Sequence, residues 1–79
     1  MRVKVLLFAG LRERAGRGEM DLELEPGVTV REVPGRVFGA EMVIPPKSLR
    51  YAVNQDYVSE TQALREGDEV ALIPPVAGG

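Results

Sequence analysis

The sequence predicts an α+β domain, a mixed β-sheet of four to five strands with one main helix packed on one face. Three observations carry this expectation. Val3-Lys4-Val5-Leu6-Leu7-Phe8-Ala9 and Glu69-Val70-Ala71-Leu72-Ile73, near the two ends of the chain, are apolar at almost every position. Glu19 to Glu25 alternates, with Met20, Leu22 and Leu24 on one side and Asp21, Glu23 and Glu25 on the other. Between them, Thr29-Val30-Arg31-Glu32 has the capping-box spacing of a helix start.

The first run is short and rich in β-formers, and reads as a strand buried on both faces. Gly10 to Gly18 (Gly-Leu-Arg-Glu-Arg-Ala-Gly-Arg-Gly) reads as a polar, glycine-punctuated loop. The alternating run after it makes a half-exposed strand, so the two form a hairpin. Its carboxylates, with Glu19 included, guard a sheet edge. Pro26-Gly27 turns the chain. The helix is expected over roughly residues 30–40, burying Val30, Val33, Val37 and Phe38, and interrupted or tilted at Pro34. Proline removes a helical hydrogen bond, and Gly35 and Gly39 lower propensity further.

Pro45-Pro46 ends any continuation. Tyr51 to Asn54 and Tyr57-Val58 are short strands about an Asn54-Gln55-Asp56 turn. Leu64 is an apolar anchor, and Gly67-Asp68 leads into the last strand. Two continuous apolar strands fit best side by side in mid-sheet. If they are parallel, the helical segment supplies the crossover such a pair requires. The second face of the sheet is then left to solvent or a partner.

Seventy-nine residues form one small domain, 1–79, with 74–79 as an extended tail. With no cysteine, its 44% apolar residues must supply the core. A net charge of −2 argues against nucleic acid as a partner. No apolar run approaches the roughly 18 residues of a membrane span, and a start directly in a strand pattern, without a signal sequence, points to the cytoplasm. Charge is uneven. Residues 1–18 hold five basic groups and one acidic, a balance of +4. Residues 51–79 hold Arg65 against Asp56, Glu60, Glu66, Asp68 and Glu69, a balance of −4. The acidic groups are expected near the tail, at the rim of a docking surface or on a merely solvated face.

Catalytic chemistry is scarce. No histidine or cysteine is present, which removes the imidazole base, the thiol nucleophile and the usual zinc ligands, and no metal site is expected. Ser48 and Ser59 have no such base to activate them. Gly16-Arg17-Gly18 is only a fragment of a dinucleotide fingerprint, and no Gly-x-x-x-x-Gly-Lys stretch occurs. Arg12, Arg14 and Arg17 read as a solvated cluster. Asp68-Glu69 reads first as a turn, with partner contact as the alternative.

The ending Pro74-Pro75-Val76-Ala77-Gly78-Gly79 is the most informative feature. Glycine makes up about 7% of average sequence, so two in succession at an end arise by chance in roughly 0.5% of chains. Two glycines leave a slim carboxylate-bearing arm suited to a narrow cleft in another protein. A frayed end is the plainer alternative.

Three stretches together resemble the small subunit of molybdopterin synthase. They are Ala52-Val53-Asn54-Gln55-Asp56-Tyr57-Val58-Ser59, Leu64-Arg65-Glu66-Gly67-Asp68-Glu69-Val70-Ala71 and the Pro74–Gly79 ending. Val3 to Ala9 with Leu11-Arg12-Glu13 is similar to that family's first strand and the segment after it. The family usually has an uninterrupted helix where Pro34-Gly35 stands here.

The resemblance implies a ubiquitin-like β-grasp fold and a sulfur carrier in molybdenum cofactor (molybdopterin) biosynthesis. It implies that Gly79 is the reacting residue, adenylated by a ubiquitin-activating type of enzyme that uses ATP. A sulfur donor system then converts it to a thiocarboxylate. Gly78, Ala77, Val76, Pro75, Pro74, Ile73 and Leu72 would contact partners, a core role being equally open for Leu72 and Ile73. The main partner would be the large synthase subunit, in a heterotetramer, where sulfur passes to a pyranopterin precursor. The chain itself would bind no cofactor and would be no enzyme on its own. Carriers for thiamine or tRNA thiolation, and a ubiquitin-like modifier or interaction module, are the alternatives.

Overall fold

The computed structural model describes residues 1–42 and 44–75, and of Glu41 only the backbone. Five strands form one sheet: β1 (Arg2–Leu7), β2 (Glu19–Glu23), β3 (Arg50–Val53), β4 (Asp56–Val58) and β5 (Glu69–Ile73). Their order is β2-β1-β5-β3-β4. The two apolar strands lie side by side in the middle and run parallel, with Val5 beside Val70 and Leu7 beside Leu72. All other pairings are antiparallel. This is the expected β-grasp arrangement.

β1 is not buried on both faces. Val3, Val5 and Leu7 are buried, whereas Arg2 and Lys4 are exposed and Leu6 is half-buried. β5 alternates in the same way, with only Val70 and Leu72 fully inside. One layer of helices and loops cannot cover both faces of a five-stranded sheet, so a continuous apolar run here marks two differently used faces. The inner one meets Tyr51 and Val53 of β3, together with Val30, Val33 and Leu64 from the connecting segments.

The glycine-punctuated segment after β1 is a helix rather than a loop. α1 (Ala9–Ala15) is held by Leu11, which is 1% exposed. Leu11 to Ala15 are good helix formers. Gly16, read from sequence as loop punctuation, is instead the stop signal. It adopts φ +76° and returns its N–H to the Arg12 carbonyl at 3.0 Å, the left-handed cap that glycine takes most easily.

The expected 30–40 helix is three pieces: a 3₁₀ turn at Val30–Glu32, α2 (Val33–Phe38) and a second 3₁₀ turn at Gly39–Glu41. The Thr29–Glu32 capping box forms, with the Thr29 N–H donating to Glu32 Oε2 at 2.8 Å. Pro34 does not break a helix past its first turn. It sits within the first turn of α2, where its missing N–H has no helical partner to lose. The interruption therefore comes as a change from 3₁₀ to α geometry beside Pro34. Gly39, at φ +59° and ψ −135°, ends α2 in a conformation open to glycine almost alone. Val30 and Val33 are buried as expected, and Val37 and Phe38 only half so. A bidentate ion pair from Arg36 to Glu25 fastens α2 to the turn after β2.

Segment 59–68 closes the structure without regular elements. Val30 N–H bonds to the Gln62 carbonyl and Leu64 N–H to the Val28 carbonyl, both at 3.0 Å. These bonds fasten the segment to the helical layer and place Leu64, the apolar anchor, in the core at 4% exposure.

Candidate functional site

The site is the end of β5 and the sheet face around it. Because β5 is parallel to β1 and antiparallel to β3, its C-terminal end meets the end of β1, the start of α1 and the beginning of β3. Ile73 stands opposite Arg50, and Leu72 opposite both Leu7 and Tyr51. Pro74 and Pro75 follow. Val76, Ala77, Gly78 and Gly79, the expected arm and reacting residue, lie outside the described residues.

Alternation along β5 separates two residues that the sequence left together. Leu72 points inward and is 0% exposed, so it has no surface to offer a partner and belongs to the core. Ile73 points to the outer face and is half-exposed, as is Pro74, and Pro75 is exposed. The outer face carries Leu6, Ala71 and Ala52 in one row across β1, β5 and β3, and Tyr57 continues that row on β4. Tyr57 is 71% exposed, a surface role that its place in a strand did not by itself assign. Its signal was available, since it precedes the inward Val58 in a two-residue period. Phe8, just past β1, is 45% exposed. Scattered exposed apolar residues are normal, whereas a contiguous set on one uncovered face marks a docking surface. Arg50, Tyr57, Ile73, Pro74 and Pro75 line an open cleft of about 470 Å³ at the root of the tail.

The charge expectation fails for three of its acidic groups. Glu66, Asp68 and Glu69 are close to the tail in sequence, yet they occupy the opposite pole of the sheet. Glu66 accepts the Arg2 N–H at 2.9 Å, the Asp68 carbonyl accepts the Lys4 N–H, and Glu69 begins the strand that Ile73 ends. At about 3.3 Å per residue, β5 carries the chain roughly 13 Å from the acidic pole to the tail. The charged residue that lines the tail-root cleft is the basic Arg50, and the acidic Glu60 lines the cleft next to it. Leu7 N–H bonds to the Gly18 carbonyl, so α1 and its exit, with exposed Arg12, Arg14 and Arg17, sit at the same pole as Arg50.

Asp68 has a structural task. It accepts the Arg65 N–H at 2.7 Å and the Asn54 side-chain amide at 3.0 Å, which confirms its reading as a turn residue. Among the described residues no cluster of acidic groups is placed to hold a metal, and no helix is long and apolar enough to cross a membrane. The described part of the site presents exposed apolar side chains beside Arg50.

A profile of the ThiS family matches residues 5–79. The chain belongs to the ThiS family. Curated relatives agree with this assignment. The chain is 40% identical to the molybdopterin synthase sulfur carrier subunit of Chlamydomonas reinhardtii, with 100% of both chains covered. It is 35% identical to the subunit of that name from Escherichia coli, covering 98% of this chain and 99% of the relative. Among solved structures, the small archaeal modifier protein 1 of Haloferax volcanii superposes with a TM-score of 0.76 at 25% identity, covering 95% and 98% of the two chains. The ubiquitin-like β-grasp is therefore shared by carriers and modifiers, and the ThiS-family fold alone does not choose between them.

Proposed function

We propose that this protein is the sulfur carrier subunit of a molybdopterin synthase. The observation that carries the reading is full-length similarity, at 40% identity, to a subunit of that name. The uncovered apolar face at the root of the tail supports it, because a carrier must be gripped by an activating enzyme and by a synthase in turn. In this reading the Gly79 carboxylate attacks ATP, forming an acyl adenylate and releasing pyrophosphate. Sulfide-level sulfur from a donor attacks the acyl carbon, displaces AMP and leaves a terminal thiocarboxylate. The loaded arm then enters the large synthase subunit and yields its sulfur to a pyranopterin precursor. Pro74-Pro75 holds the start of the arm in an extended direction, and Gly78-Gly79 keeps its end narrow. ATP belongs to the activating enzyme, and this chain contributes the acyl group.

The test is the intact mass of the protein purified from its own cells. The expected result is a fraction heavier by the exchange of one oxygen for sulfur, together with a co-purifying large synthase subunit. Finding a thiazole synthase as the stable partner instead would favour the thiamine carrier.

The modifier reading draws on the likeness to the small archaeal modifier protein. It requires attack on the activated Gly79 by a lysine amine and would leave a ladder of isopeptide conjugates on a gel.

A further inference from the structure

The exposed cations of β1 are each matched by a carboxylate of β2. Arg2 pairs with Glu23 at 3.0 Å, and Lys4 lies 3.7 Å from Glu19. Arg50 on β3 differs. Among the described residues no carboxylate lies within 4.0 Å of its guanidinium, which is also true of Arg12, Arg14, Arg17, Lys47 and Arg65, but of these Arg50 is the one that lines the tail-root cleft. Glu60, which lines a neighbouring cleft with Arg50, is engaged by Arg31 at 3.4 Å. The cross-strand neighbour of Arg50 is the apolar Ile73, and the two share the tail-root cleft with Tyr57, Pro74 and Pro75.

An isolated guanidinium is well tolerated while water covers it. It becomes costly once a partner covers it, because a buried ion without a counter-ion loses its hydration with no return. The carrier function proposed above requires this face to be covered, and the present inference rests on that reading. We propose that Arg50 is a specificity-determining residue, whose guanidinium receives a carboxylate of the docking partner within the apolar surround of Ile73 and Tyr57. Arginine suits the position, since its planar fork matches a carboxylate bidentately and its flat face can lie against an aromatic ring. The same residue acts against wrong partners. A surface with the right apolar shape and no acid opposite Arg50 would bury the charge unpaired and be rejected. The anion in this proposal is the partner's, and this chain's own C-terminal carboxylate is the other source that the experiment separates from it.

The experiment measures binding to the large synthase subunit of the same organism by calorimetry, with the full-length chain and Arg50→Gln, Arg50→Leu and Arg50→Lys. Arg50 is exposed, and circular dichroism checks that each variant folds. Arg50→Gln and Arg50→Leu should each weaken binding about tenfold or more, because the partner's acid is then left unpaired. Arg50→Lys should recover part of the loss. Repeating the Arg50→Gln comparison with Gly79 amidated separates the two sources of the anion, and the same loss is expected. Equal or tighter binding by Arg50→Leu overturns the inference, as does disappearance of the Arg50→Gln effect in the amidated chain. If the wild-type chain does not bind the large subunit, the synthase reading fails and the inference falls with it. Binding that is insensitive to all three substitutions removes only the inference.

Discussion

Asn54 and Asp68 lock two turns together at the pole of the sheet opposite the tail. The Asn54 side-chain amide donates to Asp68 Oδ1 at 3.0 Å, and its oxygen accepts the Glu69 N–H at 3.0 Å. Asn54 itself sits at φ +52° in the β3–β4 turn, a conformation that asparagine accepts more readily than most residues. The pair therefore sets the start of β5, and through its parallel and antiparallel neighbours the register of the strand that presents the tail.

Asn54→Ala should lower stability by about 1–3 kcal/mol, from the loss of both side-chain hydrogen bonds and from the left-handed backbone. Urea unfolding measures it. An unchanged midpoint would show that the two turns hold without the bridge.

Leu72 and Ile73, adjacent in sequence, should separate cleanly. Leu72→Ala empties a fully buried position and should cost about 2–5 kcal/mol of folding stability. Ile73→Asp places a carboxylate on the half-exposed outer face and should leave folding nearly intact while weakening partner binding at least tenfold. Paired thermal melts and binding titrations check this. A strongly destabilised Ile73→Asp, or one that binds normally, contradicts the assignment of the faces.

Acid should probe the clamp between α2 and the turn after β2. Hydrogen bonding from the Arg36 guanidinium holds the Glu25 carboxyl down at about 2, against an ordinary 4.5. Hydrogen bonds from the Thr29 N–H and hydroxyl lower Glu32 as well. A folded-state pKa below the unfolded one stabilises the protein above the unfolded value, and the contribution disappears as pH falls from about 4.5 to about 2. Glu25→Gln should therefore melt below wild type at pH 6, and the gap should close by pH 2. A gap independent of pH would mean that the ion pair contributes nothing.

Alkali should probe Tyr51 of β3. Burial, with a smaller push from Glu60, raises the Tyr51 hydroxyl to about 12 from 10.0, and the hydroxyl donates to the Pro46 carbonyl at 2.6 Å. Here the folded pKa lies above the unfolded one, so the stabilisation is complete below pH 10 and is lost as pH rises toward 12. Tyr51→Phe should remove that alkaline loss while costing roughly 1 kcal/mol near neutrality. Identical alkaline melting of the two proteins would exclude Tyr51 as the titrating group.

The tail prediction is chemical. Deleting Gly79 should abolish sulfur transfer, while Gly79→Ala should reduce it by less, through a Cβ in a narrow channel. Val76→Asp should weaken binding of the large subunit by a few kcal/mol without unfolding the domain, since the described core is built from residues 3–72. Transfer assays with the deletion, and calorimetry with Val76→Asp, provide the readouts. Full transfer activity without Gly79 would end the carrier reading.

The sequence by itself determined the elements whose signals are local. Alternation in Glu19–Glu23, the Thr29–Glu32 capping spacing and the apolar runs of β1 and β5 each depend on neighbours within a few residues. The adjacency of β1 and β5 was legible too, because two strongly apolar strands have few other places in so small a sheet. Tertiary structure decided which face each residue serves. Leu72 and Ile73 look alike in sequence, and only the single layer covering one side of the sheet sends one to the core and the other to the surface. It also decided that Gly16 caps a helix pinned by Leu11, because a buried contact outweighed the glycines flanking a short segment. The clearest case is charge. Glu66, Asp68 and Glu69 precede Pro74 by only a few positions, but a strand carries its two ends far apart, and the charged residue that lines the cleft with Pro74 and Pro75 is Arg50, from another strand.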